Sequence, residues 1–155
     1  MRQKTKSITI DGIDKKILRM LMKEARTPIL EVARNVGISG AAIHQRLRKL
    51  EKAKLISGSQ LIVNPEVLGY TTCAFVGVYL DKEGDTHTII KLLHRIPEVL
   101  ECHYTSGHWN LFLKVLCINN DHLIQLLNSL QEIGGVFRTE SLISLNQEID
   151  RQVKV

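Results

Sequence analysis

A chain of 155 residues, 44% of them hydrophobic, can bury one medium core or two small ones, and its net charge of +5 gives it a basic balance. No apolar run approaches the roughly 20 residues that a membrane-crossing helix needs and no signal-like segment is read at the start, so a soluble, cytoplasmic protein is expected. Cys73, Cys102 and Cys117 form an odd set without C-x-x-C spacing, each inside an apolar run, which predicts reduced thiols and neither a metal site nor a disulfide framework.

The charge is unevenly placed. Residues 1–64 carry fourteen basic against five acidic side chains, a net of +9, and residues 65–155 carry a net of −4. A basic module beside an acidic one implies a polyanionic partner for the first module alone. Residues 1–10 are polar and basic with alternating Ile8 and Ile10, an arm expected to form a short strand on assembly. Residues 11–25 place Ile13, Ile17, Leu18, Met20 and Leu21 at the 3.6-residue period of an amphipathic helix, with Asp11 or Asp14 at its start. Thr27 before Pro28 reads as the cap of a second helix, with Ile29, Leu30, Val32, Ala33 and Val36 as its buried stripe and Gly37 as its left-handed end. Ser39 caps a third helix running to about Ala53, in which Ile43, Leu47 and Leu50 repeat at i, i+4 and i+7.

Residues 56–70 read as an extended connector broken by Gly58, Asn64-Pro65 and Gly69. Beyond it come a strand at 71–80, a helix at 86–96, strands at 99–106 and 109–117, a helix at 121–133 and a strand at 137–149. This βαββαβ order predicts a ferredoxin-like layer of two helices on an antiparallel sheet. The fold class is therefore α+β, with a helix-turn-helix domain at 1–55, a linker at 56–70 and a regulation and oligomerisation domain at 71–155. The sheet face away from the helices, with Phe75, Tyr104, Phe112 and Leu142 among its expected occupants, should be covered by a second subunit.

The turn Val36-Gly37-Ile38-Ser39 between two short helices is the signature of a helix-turn-helix. At 100° per residue, Ile43, Leu47 and Leu50 cluster on one side of the third helix. Ala41, His44, Gln45, Arg48 and Lys52 lie opposite, with Lys49 at the margin. Gln45 suits adenine, Arg48 suits guanine, and His44 can donate to a base or a phosphate. Arg46, Lys49 and Lys52 suit phosphates, as do the backbone N–H groups that Ser39 caps. Double-stranded DNA is the expected partner.

The segments Asp14-Lys-Lys-Ile-Leu, Ala25-Arg-Thr-Pro, Val32-Ala-Arg, Gly37-Ile-Ser, Arg46-Leu-Arg-Lys-Leu-Glu, Leu55-Ile-Ser-Gly, Asn64-Pro and Leu68-Gly-Tyr resemble the Lrp/AsnC family, the feast/famine regulators, over essentially the whole chain. The resemblance implies a winged helix-turn-helix, a ferredoxin-like domain that dimerises through its sheet, and further assembly of dimers into octamers that wrap or bend DNA. It also implies an amino-acid effector bound between dimers near a glycine turn, which Gly107 matches. Ser106, Gly107 and His108 offer N–H groups and polar side chains for a carboxylate. Trp109 and Asn110 follow, with Asn110 where the family often has an acid, and Thr139 and Ser141 match positions that often supply hydroxyls.

No G-x-S-x-G, H-E-x-x-H, G-x-x-x-x-G-K or G-x-G-x-x-G occurs, so no enzyme and no cofactor are expected. Two alternatives are a siroheme decarboxylase-like enzyme, which resembles the same two-domain plan and would use His103-Tyr104, and a regulatory subunit that does not bind DNA. The basic third helix argues against the first, and the net charge of +9 on residues 1–64 argues against the second.

Overall fold

The computed structural model describes residues 8–81 and 84–155. The chain divides into two compact units, Met1–Ile62 with Arg151–Val155, and Val63–Asp150. The expectation for the arm at residues 1–10 falls largely outside the described residues, and Ile8 to Ile10 form no strand. Among the described residues no helix is long and apolar enough to cross a membrane.

The first unit holds α1 (Gly12–Lys23), α2 (Ile29–Val36) and α3 (Gly40–Lys52). Ile17, Val32, Ala33 and Ile43 form its buried centre, joined by the half-buried Ile13, Met20, Leu21, Ile29, Val36, Ile38 and Leu47. Each fully buried aliphatic of this kind stabilises the unit by about 1.5–3 kcal/mol. A capping box starts α1, the Asp11 side chain accepting from Asp14 N at 2.7 Å and the Asp14 side chain from Asp11 N at 3.2 Å. Thr27 does not cap α2 as the sequence suggested. Its hydroxyl instead donates to Glu24 O at 2.7 Å, and Pro28, in extended geometry, takes the cap position with no side-chain bond. Gly37 at φ +79 closes α2, with Gly37 N and Ile38 N both donating to Ala33 O. Among the described residues no strand forms between α3 and the second unit's first strand, so the wing implied by the resemblance is not paired within one chain.

The second unit contains a 3₁₀ turn (Glu66–Leu68), then β1 (Thr72–Leu80), α4 (Thr86–Leu93), β2 (Val99–Tyr104), β3 (Leu111–Cys117), α5 (Asn120–Gln131) and β4 (Val136–Ile143). The sheet order is β2-β3-β1-β4 and all neighbours are antiparallel. This is the ferredoxin-like βαββαβ arrangement expected from the sequence. Ala74, Val76, Val78, Leu111, Leu113, Val115 and Cys117 point to the helices and pack on Ile89, Leu93, Leu123, Leu126 and Leu130. Phe75, Phe112 and Leu142 lie on the opposite face, as expected.

Tyr104 does not. An extra residue between Val99 and Glu101 breaks the β2 register against β3 and reverses the side-chain alternation. Tyr104 pairs with the buried Leu111 and so belongs to the helix side, 73% exposed at the sheet edge, while His103 pairs with Phe112 on the open face.

Candidate nucleic-acid interface and effector turn

Ser39 has extended geometry and its hydroxyl accepts from Ala42 N at 3.2 Å, which starts α3 after the Gly37 turn. Ile43 and Leu50 are fully buried, so the helix is rotated as its period predicts. Ala41, His44, Gln45, Arg48, Lys49 and Lys52 are all exposed. Among them stand three cations, Arg48, Lys49 and Lys52, and three side chains able to read base edges, His44, Gln45 and Arg48, on a helix whose first turn is only Gly40-Ala41-Ala42.

Arg46 departs from the expected phosphate role. Its Nη1 lies 2.7 Å from Asp11 Oδ2 and 2.7 Å from Asp14 Oδ1, and the Asp14 carboxylate is almost wholly buried. Arg46 is therefore the bond between α3 and the capping box of α1. The backbone N–H of Asp14 and then the Arg46 guanidinium hold the Asp11 carboxyl below its ordinary value near 3.8. A carboxyl lowered by folding adds stability above its ordinary value, and that stability is lost as pH falls through the lowered one. The thermal midpoint of this unit should therefore drop on acidification below about pH 4, and Arg46→Met should weaken that dependence in calorimetric scans while lowering the midpoint at neutral pH.

The turn between β2 and β3 is built differently. Thr105 N donates to Asn110 O at 3.1 Å, and the Thr105 hydroxyl donates to Trp109 O. Ser106, Gly107 and His108 are exposed at its tip. Asn110 is committed to the strand: its backbone N–H donates to Val78 O at 2.9 Å, and its carboxamide oxygen accepts from Leu80 N at 2.9 Å. It closes the end of β1, so its oxygen already has a donor. From this turn the Trp109 indole crosses β1 at Gly77 and donates from Nε1 to Glu140 Oε2 on β4 at 2.9 Å. Tyr79 OH donates to the same oxygen at 3.1 Å, and Arg138 Nη2 lies 2.5 Å from Glu140 Oε1.

Glu140 was not anticipated from the sequence. It falls between Thr139 and Ser141, but alternation sends it to the open face with Trp109 and sends its two neighbours to the helix side. There Thr139 accepts from Gln131 Nε2 at 3.0 Å. The seven expected effector residues are thus divided by the edge strand β4. The Trp109 hydrogen bond, then those of Tyr79 and the charge of Arg138, hold the Glu140 carboxyl below its ordinary value. Burial raises the Tyr79 phenol, and its bond to the Glu140 carboxylate raises it further. Removing that charge in Glu140→Gln should bring the Tyr79 titration down towards its ordinary value near 10, which an ultraviolet phenolate titration reads.

Two family models cover nearly all of this architecture. The AsnC-type helix-turn-helix domain matches residues 10–51, and the Lrp/AsnC ligand binding domain matches residues 73–153. The chain belongs to the Lrp/AsnC family. It is a DNA-binding transcription regulator of the AsnC type, and enzymatic readings lapse with that assignment. Regulatory protein AsnC of Haemophilus influenzae is 40% identical over 146 residues, covering 94% of this chain and 97% of that protein. The solved structure of Escherichia coli AsnC superposes with a TM-score of 0.90 at 38% identity, over 96% of this chain and 100% of that one. A feast or famine regulatory protein from M. tuberculosis, solved in complex with L-methionine, superposes with a TM-score of 0.86 at 30% identity over 95% and 100% of the two chains. Within this Lrp/AsnC frame, α2 and α3 are the helix-turn-helix proper, and the unit holding the Trp109–Glu140 bond is the ligand-binding domain.

Proposed function

We propose that this regulator reads duplex DNA with the exposed face of α3 and answers to an amino acid held at the β2–β3 turn between dimers. The observation that carries the first half is the exposure of Ala41, His44, Gln45, Arg48, Lys49 and Lys52 on a helix whose opposite side buries Ile43 and Leu50. His44, Gln45 and Arg48 take the base edges. Lys49, Lys52 and the N–H groups following Ser39 take phosphates. Arg46 holds the helix at its working angle from behind.

For the effector, the N–H groups and side chains of Ser106, Gly107 and His108 receive the carboxylate. Glu140, fixed on Oε2 by Trp109 and Tyr79, supplies the negative charge that Asn110 lacks, and Arg138 on Oε1 is the partner that an α-ammonium would displace. Thr139 and Ser141 occupy the other side of β4, so a ligand touching both sets has to lie along the strand edge. That geometry suits a site shared between chains in a homodimer that assembles to an octamer. The methionine complex of the M. tuberculosis relative supports an amino acid as the ligand class.

The test is footprinting on the DNA upstream of the protein's own coding sequence, at stated salt, with and without a panel of amino acids, alongside light scattering for assembly size. A protected site that one amino acid shifts or weakens is expected. A footprint indifferent to every amino acid would remove the effector half, and no footprint at all would remove the first.

A further inference from the structure

The outward face of α1 carries a row of cations that the helix-turn-helix reading does not use. Lys15, Arg19 and Lys23 stand at i, i+4 and i+8, about 6 Å apart along the axis, and Lys16 lies beside them within an arc of about 120°. All four are exposed, and their stripe is opposite the face that buries Asp14, Ile17 and Leu18. Like charges at i,i+4 destabilise a helix, so the row is a cost to the isolated chain. Nothing local offsets it: among the described residues none of the four pairs with an acidic side chain, and Asp11, four residues before Lys15, is already bonded to Arg46 and to the helix cap.

The same surface gains charge from the other end of the chain. Residues Arg151–Val155 lie against it, with Val155 O accepting from Arg19 Nε at 2.7 Å. The hollow they enclose, of about 560 Å³, is lined by Arg19, Met22, Lys23, Arg151, Gln152, Val153, Lys154 and Val155. It is lined by four cationic side chains and by no acidic one. A protein partner would need an apolar centre with charge kept to the rim, whereas here Met22, Val153 and Val155 share the lining with four cationic side chains. Phosphates need only the cations.

We infer that the α1 row, with Arg151 and Lys154, is a second, sequence-independent contact for the phosphate backbone of double-stranded DNA. The inference rests on the DNA-binding reading above and adds a surface to it. α1 and α3 both turn their apolar sides to the common core, so the α1 row lies on a different helix face from the one that reads bases.

The experiment measures binding of the full chain to a long upstream duplex across a salt series, comparing wild type with Lys15→Gln/Lys16→Gln/Lys23→Gln. Arg19 and its bond to Val155 O are left in place. At about 0.9 per phosphate released, the log–log salt slope should shrink by roughly 2 to 3, with the ratio of operator to scrambled DNA unchanged. The three-arginine version should keep the full slope. A thermal midpoint equal to or above wild type shows that the glutamine variant folds. An unchanged slope overturns the inference, and so does a change in assembly size without a change in slope, which would make the face a protein contact. Failure here is separable from failure of the α3 reading, since only the latter is sunk by an intact operator preference in Gln45→Ala/Arg48→Ala.

Discussion

Gln45→Ala combined with Arg48→Ala is expected to erase the preference of this regulator for its operator over scrambled DNA. A well-made bidentate contact between a side chain and a base discriminates by about 1–3 kcal/mol, so the pair together should cost roughly 30-fold to ten-thousand-fold in specific affinity. Non-specific binding should persist with most of its salt dependence, because Lys49 and Lys52 remain. Neither substituted side chain is buried, so the fold and the assembly should be unchanged by circular dichroism and light scattering. Band shifts with both DNAs at one salt concentration decide it: an unaltered operator-to-scrambled ratio would mean that α3 does not read bases.

The second large effect is expected from Gly77. A Cβ built there would lie 2.5 Å from Trp109 Cδ1 and Nε1 and 2.6 Å from Cδ2, well inside van der Waals contact. The indole has no easy retreat. It is stacked on Phe112 with ring centres 5.0 Å apart, tilted against His108 at 4.4 Å, and bonded to Glu140. Gly77→Ala should therefore either push β1 from β3 or swing Trp109 off Glu140. Overpacking of this sort costs about 1–3 kcal/mol. In a chain of this size each kcal/mol lowers the thermal midpoint by about 2–4 °C. If the indole swings out, its fluorescence should shift to the red and amino-acid response should weaken with it. A variant with unchanged midpoint and emission would show that Trp109 is not held over position 77.

The order of elements was legible because burial periodicity survives in the sequence wherever one face is dry. The ends of elements were harder. Leu145 and Ile149 continue the apolar pattern of β4, but β1 begins at Thr72 and has no backbone to pair beyond the bond from Ser144 N to Cys73 O, so β4 ends at Ile143. The length of the partner decides, and that is not a local property. Tyr104 was assigned to the wrong face for a similar reason: one bulged residue in β2 inverts the parity of everything after it, and nothing in Val99-Leu100-Glu101 announces it.

On α3 the division into buried and outward residues was read correctly from 100° steps. Arg46 sits between the two faces, and only the tertiary position of Asp11 and Asp14 reveals which neighbour claims it. Glu140 was missed because it is defined by Trp109 reaching across Gly77, a contact between residues more than thirty positions apart.

The bond from Arg46 to the start of α1 bears on any effort to redirect this regulator to new operators. A transplanted recognition helix that lacked an arginine at position 46 would strand the buried Asp14 carboxylate. Randomised libraries confined to positions 44, 45 and 48 would leave that anchorage untouched, which on the reading proposed above makes those three the interchangeable lettering and position 46 the hinge pin on which the lettering is mounted.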